Sequence, residues 1–168
     1  MNKNLVLTGM MGVGKSTIGR LLAKKLKVRF FDIDKIIEKN EKKSIKRIFR
    51  TDGEEFFRKI EEKTTLKILK AKNVVIALGG GAFMNEKIRF EVLKSSTSVW
   101  LKVSLGKLIN RYRKNNRRPL LNRNRLETDV KKIYKERKKI YSLASLKIDC
   151  DDMNKDNIVQ KILEFYEN

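Results

Sequence analysis

The sequence predicts one α/β domain organised around a parallel sheet, and three observations predict it. Five short apolar runs alternate with longer amphipathic stretches along the whole chain. The runs are apolar almost throughout rather than at every second position, as in strands covered on both faces. Six of the nine glycines fall in two clusters, Gly9, Gly12 and Gly14, then Gly79, Gly80 and Gly81, and each cluster directly follows a run. A chain of 168 residues matches a single domain, and neither an internal repeat nor a linker interrupts it.

Taken in order, the expected strands are 5–7, 28–31, 74–78, 99–103 and 146–148. Helical spacing relates Ile18, Leu21, Leu22 and Leu26, then Phe56, Ile60, Leu66 and Leu69, and near the end Ile158, Val159, Ile162, Leu163 and Tyr166. A further helix is patterned by Val130, Ile133, Tyr134, Ile140 and Tyr141. Thr51 with Glu54, and Asp52 with Glu55, both fit a capping box opening the long second helix. Strands separated by helices make βαβ units, in which a ligand crevice lies outside the carboxyl ends of the strands. Both glycine clusters therefore line one crevice.

Composition narrows the chemistry. No histidine is present, which removes Ser-His-Asp and Cys-His catalysis and imidazole metal sites, and the lone Cys150 removes a disulfide framework and a cysteine zinc cluster. Carboxylates, Lys, Arg, hydroxyls and backbone amides remain. The balance of 41 basic and 20 acidic residues, net +21, fits an anionic partner such as nucleic acid or a polyphosphate. A lysine-rich surface of no particular function accounts for it equally well. Residues 107–139 stand out, with fourteen basic and three acidic residues. The N-terminal apolar run is too short for a signal peptide, and no run reaches the ~20 residues of a membrane span. With one unpaired cysteine, a cytoplasmic protein is expected.

Gly9-Met10-Met11-Gly12-Val13-Gly14-Lys15-Ser16 matches G-x-x-x-x-G-K-[ST] between an expected strand and helix. Such a loop turns successive backbone N–H groups toward phosphate oxygens, the helix N-terminus adds its positive end, Lys15 reaches the terminal phosphates and Ser16 offers an oxygen to Mg²⁺. A second metal ligand often ends a later strand as Asp, but the run 74–78 ends in three glycines. The carboxylates must then be Asp32 and Asp34, two apart on an extended segment and pointing to one side. One would face Mg²⁺ through water and the other an acceptor hydroxyl. A plainer alternative makes them N-caps of a helix beginning near Lys35. Arg58 lies one turn before Glu61, the spacing of an ordinary surface ion pair. Arg117-Arg118-Pro119-Leu120-Leu121 holds the chain's single proline in a basic stretch between helices. A mobile lid closing over phosphates has that character, and a lid arginine stabilises the transferring phosphoryl group.

Together Gly12-Val13-Gly14-Lys15-Ser16-Thr17-Ile18-Gly19, Asp32-Ile33-Asp34, Asp52-Gly53-Glu54 with Phe57-Arg58-Lys59-Ile60-Glu61, Gly79-Gly80-Gly81, Arg118-Pro119-Leu120-Leu121 and Arg137 four before Tyr141 resemble the shikimate kinase family, in order from about residue 5 to 165. The resemblance implies the nucleoside-monophosphate-kinase-like P-loop kinase fold, a single domain over 1–168 with five parallel strands in the order 2-3-1-4-5 flanked by helices. It implies a substrate-binding segment near 33–61 and a lid near 112–125. The implied reaction transfers the γ-phosphoryl group of ATP to the 3-hydroxyl of shikimate, on the chorismate route to aromatic amino acids. By position, Asp34 serves the substrate hydroxyls, and Arg58 and Arg137 the shikimate carboxylate. Glu61, Gly79, Gly80 and Gly81 belong to the same site, and Phe49 and Phe57 wall it. Gly12, Val13, Gly14, Lys15, Ser16, Thr17, Arg111 and Arg118 serve ATP, with Arg111 near the adenine. Asp34, Lys15 and Arg118 carry catalysis, and Ser16 and Asp32 hold one Mg²⁺. The expected partners are shikimate and ATP, with no nucleic acid and no membrane, and the expected state is a monomer.

Two departures from the family pattern stand out. Where the family has Arg-x-Pro-x-Tyr, this chain has Arg137-Lys138-Lys139-Ile140-Tyr141, so the local helix is expected to run on, and the lid carries the extra Arg117, Arg123 and Arg125. Two other readings compete. One is a kinase of the same fold for another hydroxylated acid such as gluconate, and the other is a basic nucleic-acid-binding NTPase.

Overall fold

Apolar strands that bury both faces need cover on each side, and parallel pairing with helical crossovers supplies it. The computed structural model describes residues 3–114 and 125–167. Its strands are β1 (Asn4–Thr8), β2 (Arg29–Asp32), β3 (Val74–Ala77), β4 (Ser96–Lys102) and β5 (Leu146–Asp149). They form one sheet in the order β2-β3-β1-β4-β5, every described pairing parallel, with Leu7 opposite both Ala77 and Val99. All five expected strands form, in the expected order. The expectation that they are covered on both faces holds for the inner three. At the sheet's edges β2 is only half-buried, and β5 exposes two of its four residues.

The helices are α1 (Lys15–Leu26), α2 (Ile33–Glu41), α3 (Ile45–Thr51), α4 (Gly53–Leu69), α5 (Glu86–Ser95), α6 (Leu105–Arg113), α7 (Leu126–Tyr141) and α8 (Lys155–Glu167). Two short helices thus precede the long α4, and Ser44 caps α3 by accepting from the Arg47 N–H. The expected capping box at the start of α4 does not form. Lys43 takes the Asp52 carboxylate at 2.8 Å, and Thr51 belongs to α3, with its hydroxyl donating to the Arg47 carbonyl. The apolar stripe expected on α4 is also out of phase. Its buried face is Phe57, Glu61, Thr65 and Leu69, while Phe56 is exposed. Two polar side chains on the inward face obscured the period. The helix α7 runs unbroken through Lys139, as the missing proline implies. Among the described residues no helix is long and apolar enough to cross a membrane.

One polar side chain locks the far end of the sheet. Asn4 is buried at the start of β1, where its amide donates to the Leu69 and Ala71 carbonyls and its oxygen accepts from the Val74 N–H. It ties the end of α4 and the following turn to β3. Removing the side chain leaves buried backbone groups unpaired, which costs about 2 kcal/mol. The Asn4→Ala variant is expected to melt about 4–8 °C lower, as measured by calorimetry.

Candidate active site

The loop 9–16 joins β1 to α1 with Gly9, Gly12 and Gly14 all at positive φ. Lys15 is 8% exposed and folds back over the loop, its Nζ donating to the Gly9 and Met10 carbonyls at 2.8 and 2.9 Å. The Ser16 hydroxyl donates to Asp32 Oδ2 at 2.5 Å, while Asp32 Oδ1 accepts from the Lys35 N–H. Asp32 therefore caps α2, as the plainer sequence reading expects, and its other oxygen meets Ser16 of the loop. Asp34 departs from the expected geometry. It stands in the first turn of α2, not on an extended segment, and the helical turn swings its carboxyl under β3 toward Gly79. A cavity of about 370 Å³ lies between these groups, lined by Lys15, Ser16, Asp32, Asp34 and Gly80 among others.

Beyond Asp34 the chain assembles a second set of charges around 79–81. Arg58 Nη1 donates to Glu61 Oε2 at 2.7 Å, and Nε and Nη2 both donate to Glu54 Oε1. The Arg58 guanidinium sits 5.2 Å from the Phe57 ring and 5.9 Å from that of Phe49, and the two rings stack tilted at 4.8 Å. Glu61 is 2% exposed, so this is not the surface pair its spacing indicated. Its Oε1 has no hydrogen-bond partner among the described residues and faces Gly79 and Asp34. From α7, Arg137 Nη1 donates to the Gly80 carbonyl at 2.9 Å, and the Tyr141 hydroxyl donates to the same oxygen.

Burial sets the electrostatics. The Asp34 carboxyl is pushed up to about 6, chiefly by burial and then by the Glu61 charge, with the Lys15 ammonium opposing. Burial likewise raises Glu61, against the pull of Arg58 and Arg137. The Tyr141 hydroxyl is pushed up to about 12 by burial, which keeps it a donor.

On the other side of the loop lies a larger cavity of about 650 Å³, bounded by Gly12, Val13, Thr17 and Arg111 and by Cys150 and Met153. Arg111 Nη1 donates to the Gly12 carbonyl and the Tyr112 hydroxyl to that of Met11, so α6 braces the loop. Cys150 and Met153 to Asp156 carried no motif. The only sequence signal for them is position, since the turn after β5 opens at the same end of the sheet as both glycine clusters. Arg117, Arg118 and Arg123, with most of the lid expected at 112–125, lie outside the described residues.

The site therefore combines a phosphate-binding loop, an inward carboxyl and two arginines around one glycine run, and comparison with known proteins gives that combination a family. The profile described as shikimate kinase matches residues 11–167. The chain belongs to the shikimate kinase family. A shikimate kinase of Persephonella marina is 41% identical over 161 residues, covering 96% of this chain and 97% of that one. The solved shikimate kinase of Acinetobacter baumannii, in complex with shikimate, superposes with a TM-score of 0.93 at 31% identity over 98% of this chain and 93% of that one. That of Aquifex aeolicus gives 0.87 at 34% identity over 98% and 96%. Membership brings ATP-dependent phosphoryl transfer with it, and the P-loop kinase fold inferred from the motifs is the observed one.

The raised Asp34 value has a consequence for stability in this kinase. Between pH 4 and 6 the native chain keeps a proton that the unfolded chain has lost, so stability falls as pH rises through that window. Above it, holding Asp34 ionised costs about 1–3 kcal/mol. Asp34→Asn is expected to melt higher than the parent at pH 7.5 in the absence of ligands, with the gap closing below pH 4. Thermal unfolding of both proteins across that pH range measures it, and a pH-independent difference would sink the account.

Proposed function

We infer that this chain transfers the γ-phosphoryl group of ATP to the 3-hydroxyl of shikimate, giving shikimate 3-phosphate and ADP. One juxtaposition supports the reading most directly. The loop that binds phosphate and the arginines that would bind a carboxylate meet along one glycine run, Met11 of the loop and Arg137 at Gly80 and Arg58 at Gly81, with the Asp34 carboxyl against Gly79. A small acid carrying a hydroxyl some distance from its carboxylate spans such a site.

In this reading Arg58 and Arg137 hold the substrate carboxylate, since planar guanidinium groups fix its orientation in a way that lysine cannot. Phe49 and Phe57 wall the ring, and 33–61 is the substrate-binding segment. Asp34 accepts the hydroxyl proton as the substrate oxygen bonds to the γ-phosphorus and the bond to the ADP oxygen breaks. Backbone N–H groups of the loop and Lys15 stabilise the phosphate charge, and the larger cavity near Arg111 takes the base. The same reading makes 112–125 the lid and gives Arg118 to the transferring group. The donor chemistry fits Mg²⁺: a hydroxyl and a carboxylate, both hard oxygens, already converge at Ser16 and Asp32, and a Mg²⁺ ion carried by phosphates needs few protein ligands. When bound there, the ion neutralises charge on the β- and γ-phosphates.

The test is ADP release with Mg·ATP and shikimate, run beside gluconate, AMP and single-stranded RNA. Turnover is expected with shikimate alone. Arg137→Ala is expected to raise KM for shikimate about 10- to 100-fold with nucleotide binding intact, and Asp34→Asn to lower kcat about 10²- to 10⁴-fold. Silence with shikimate and a response to another acceptor would overturn the reading.

A further inference from the structure

The arginine assigned to the substrate carboxylate already holds two carboxylates of its own helix. Three of the five N–H donors of Arg58 are engaged, with Nη1 on Glu61 and the Nε/Nη2 edge on a single oxygen of Glu54. The two acids differ in their freedom to leave. Glu61 is 2% exposed, pinned over Gly79 and the Asp34 carboxyl, and has no solvent to retreat into. The Glu54 side chain is 53% exposed in the first turn of α4 and needs only a rotamer change to reach water. Resting on the functional reading above, we propose that Glu54 is an internal competitor for the substrate carboxylate, holding the Nε/Nη2 edge of Arg58 until shikimate displaces it.

Charge makes exchange the favoured course over addition. A third carboxylate on a guanidinium that keeps the other two would gather three negative charges around one cation, with Asp34 close by and Arg137 and Lys15 to balance the four carboxylates. Exchange keeps the count on Arg58 constant. It also gives the site a preference, because a ligand must bring a full negative charge in the right plane to displace the side chain already there. A neutral analogue that cannot displace Glu54 gains nothing from Arg58, and selectivity then comes from competition as well as attraction.

A residue that merely orients Arg58 and one that competes for it predict opposite signs. Glu54→Gln and Glu54→Ala are to be compared with the parent for turnover of shikimate and of its methyl ester at saturating Mg·ATP, with thermal unfolding confirming that each variant is folded. Competition predicts that both variants lower KM for shikimate about two- to fivefold, the factor an exposed ion pair of ordinary strength contributes. The change is carried by KM rather than kcat, and the ester gains less, so that discrimination in favour of the acid widens. A KM for shikimate that is unchanged or higher in both variants would overturn the proposal while leaving the functional reading standing. Absence of shikimate turnover by the parent would overturn both.

Discussion

A side chain at position 79 or 81 would drive apart the groups that make this site. A Cβ on Gly79 would overlap Glu61 Oε1 and lie 2.7 Å from Asp34 Oδ1, and one on Gly81 would lie 2.5 Å from Arg58 Nη1. Those distances are well inside van der Waals contact, so a side chain there would push the Glu61, Asp34 and Arg58 tips off their present positions. The carbonyl between them, that of Gly80, accepts from Arg137 and Tyr141 and draws α7 to the same point. Since β3 is paired directly to β1, this meeting point lies beside the phosphate-binding loop. Sheet order therefore brings the glycine run, with the charges gathered on it, next to the phosphate-binding loop.

The electrostatics follow from that crowding. Three acids and two arginines converge on the glycine run, and the acid with least access to water, Glu61, has one oxygen on Arg58 and one with no partner among the described residues. A buried ion pair of this kind is weak evidence for stability, because desolvation consumes much of the attraction. What the pair does do is fix one edge of the Arg58 guanidinium, while the Glu61 charge adds to burial in raising the Asp34 carboxyl.

Much of the fold was legible because its signals were local. Each strand was a run of apolar residues bounded by polar ones, and the loop 9–16 was a spacing of glycines with a lysine and a serine. The strand order was legible only through family resemblance, since apolarity says which residues are strands and not which pair. What escaped was tertiary. The phase of α4 was hidden because Glu61 and Thr65 occupy its buried face, and hydrophobic period marks a core-facing stripe only when that stripe is apolar. The capping box failed because Lys43, nine residues away, claimed the Asp52 carboxylate. Asp34 was expected on an extended segment, but β2 ends at Asp32 and the helix that begins at Ile33 aims it. Cys150 and Met153 enter the larger cavity through chain topology alone.

The concentration of positive charge in 107–139 divides into two parts. Among the described residues Arg111 and Arg137 reach the site, each through a backbone carbonyl of a glycine cluster. Lys131, Lys132, Lys135, Lys138 and Lys139 do not, because all five lie on exposed faces of α7. The site itself holds its cations against nearby carboxylates, so the net positive field of the protein originates largely outside it. Such a field acts at range and is screened over about 8 Å at physiological ionic strength. It raises the rate at which anionic substrates arrive without altering the geometry that holds them. Different faces of the same helix are thus given to the two, Arg137 turned inward to the glycine run and the lysines turned out to solvent.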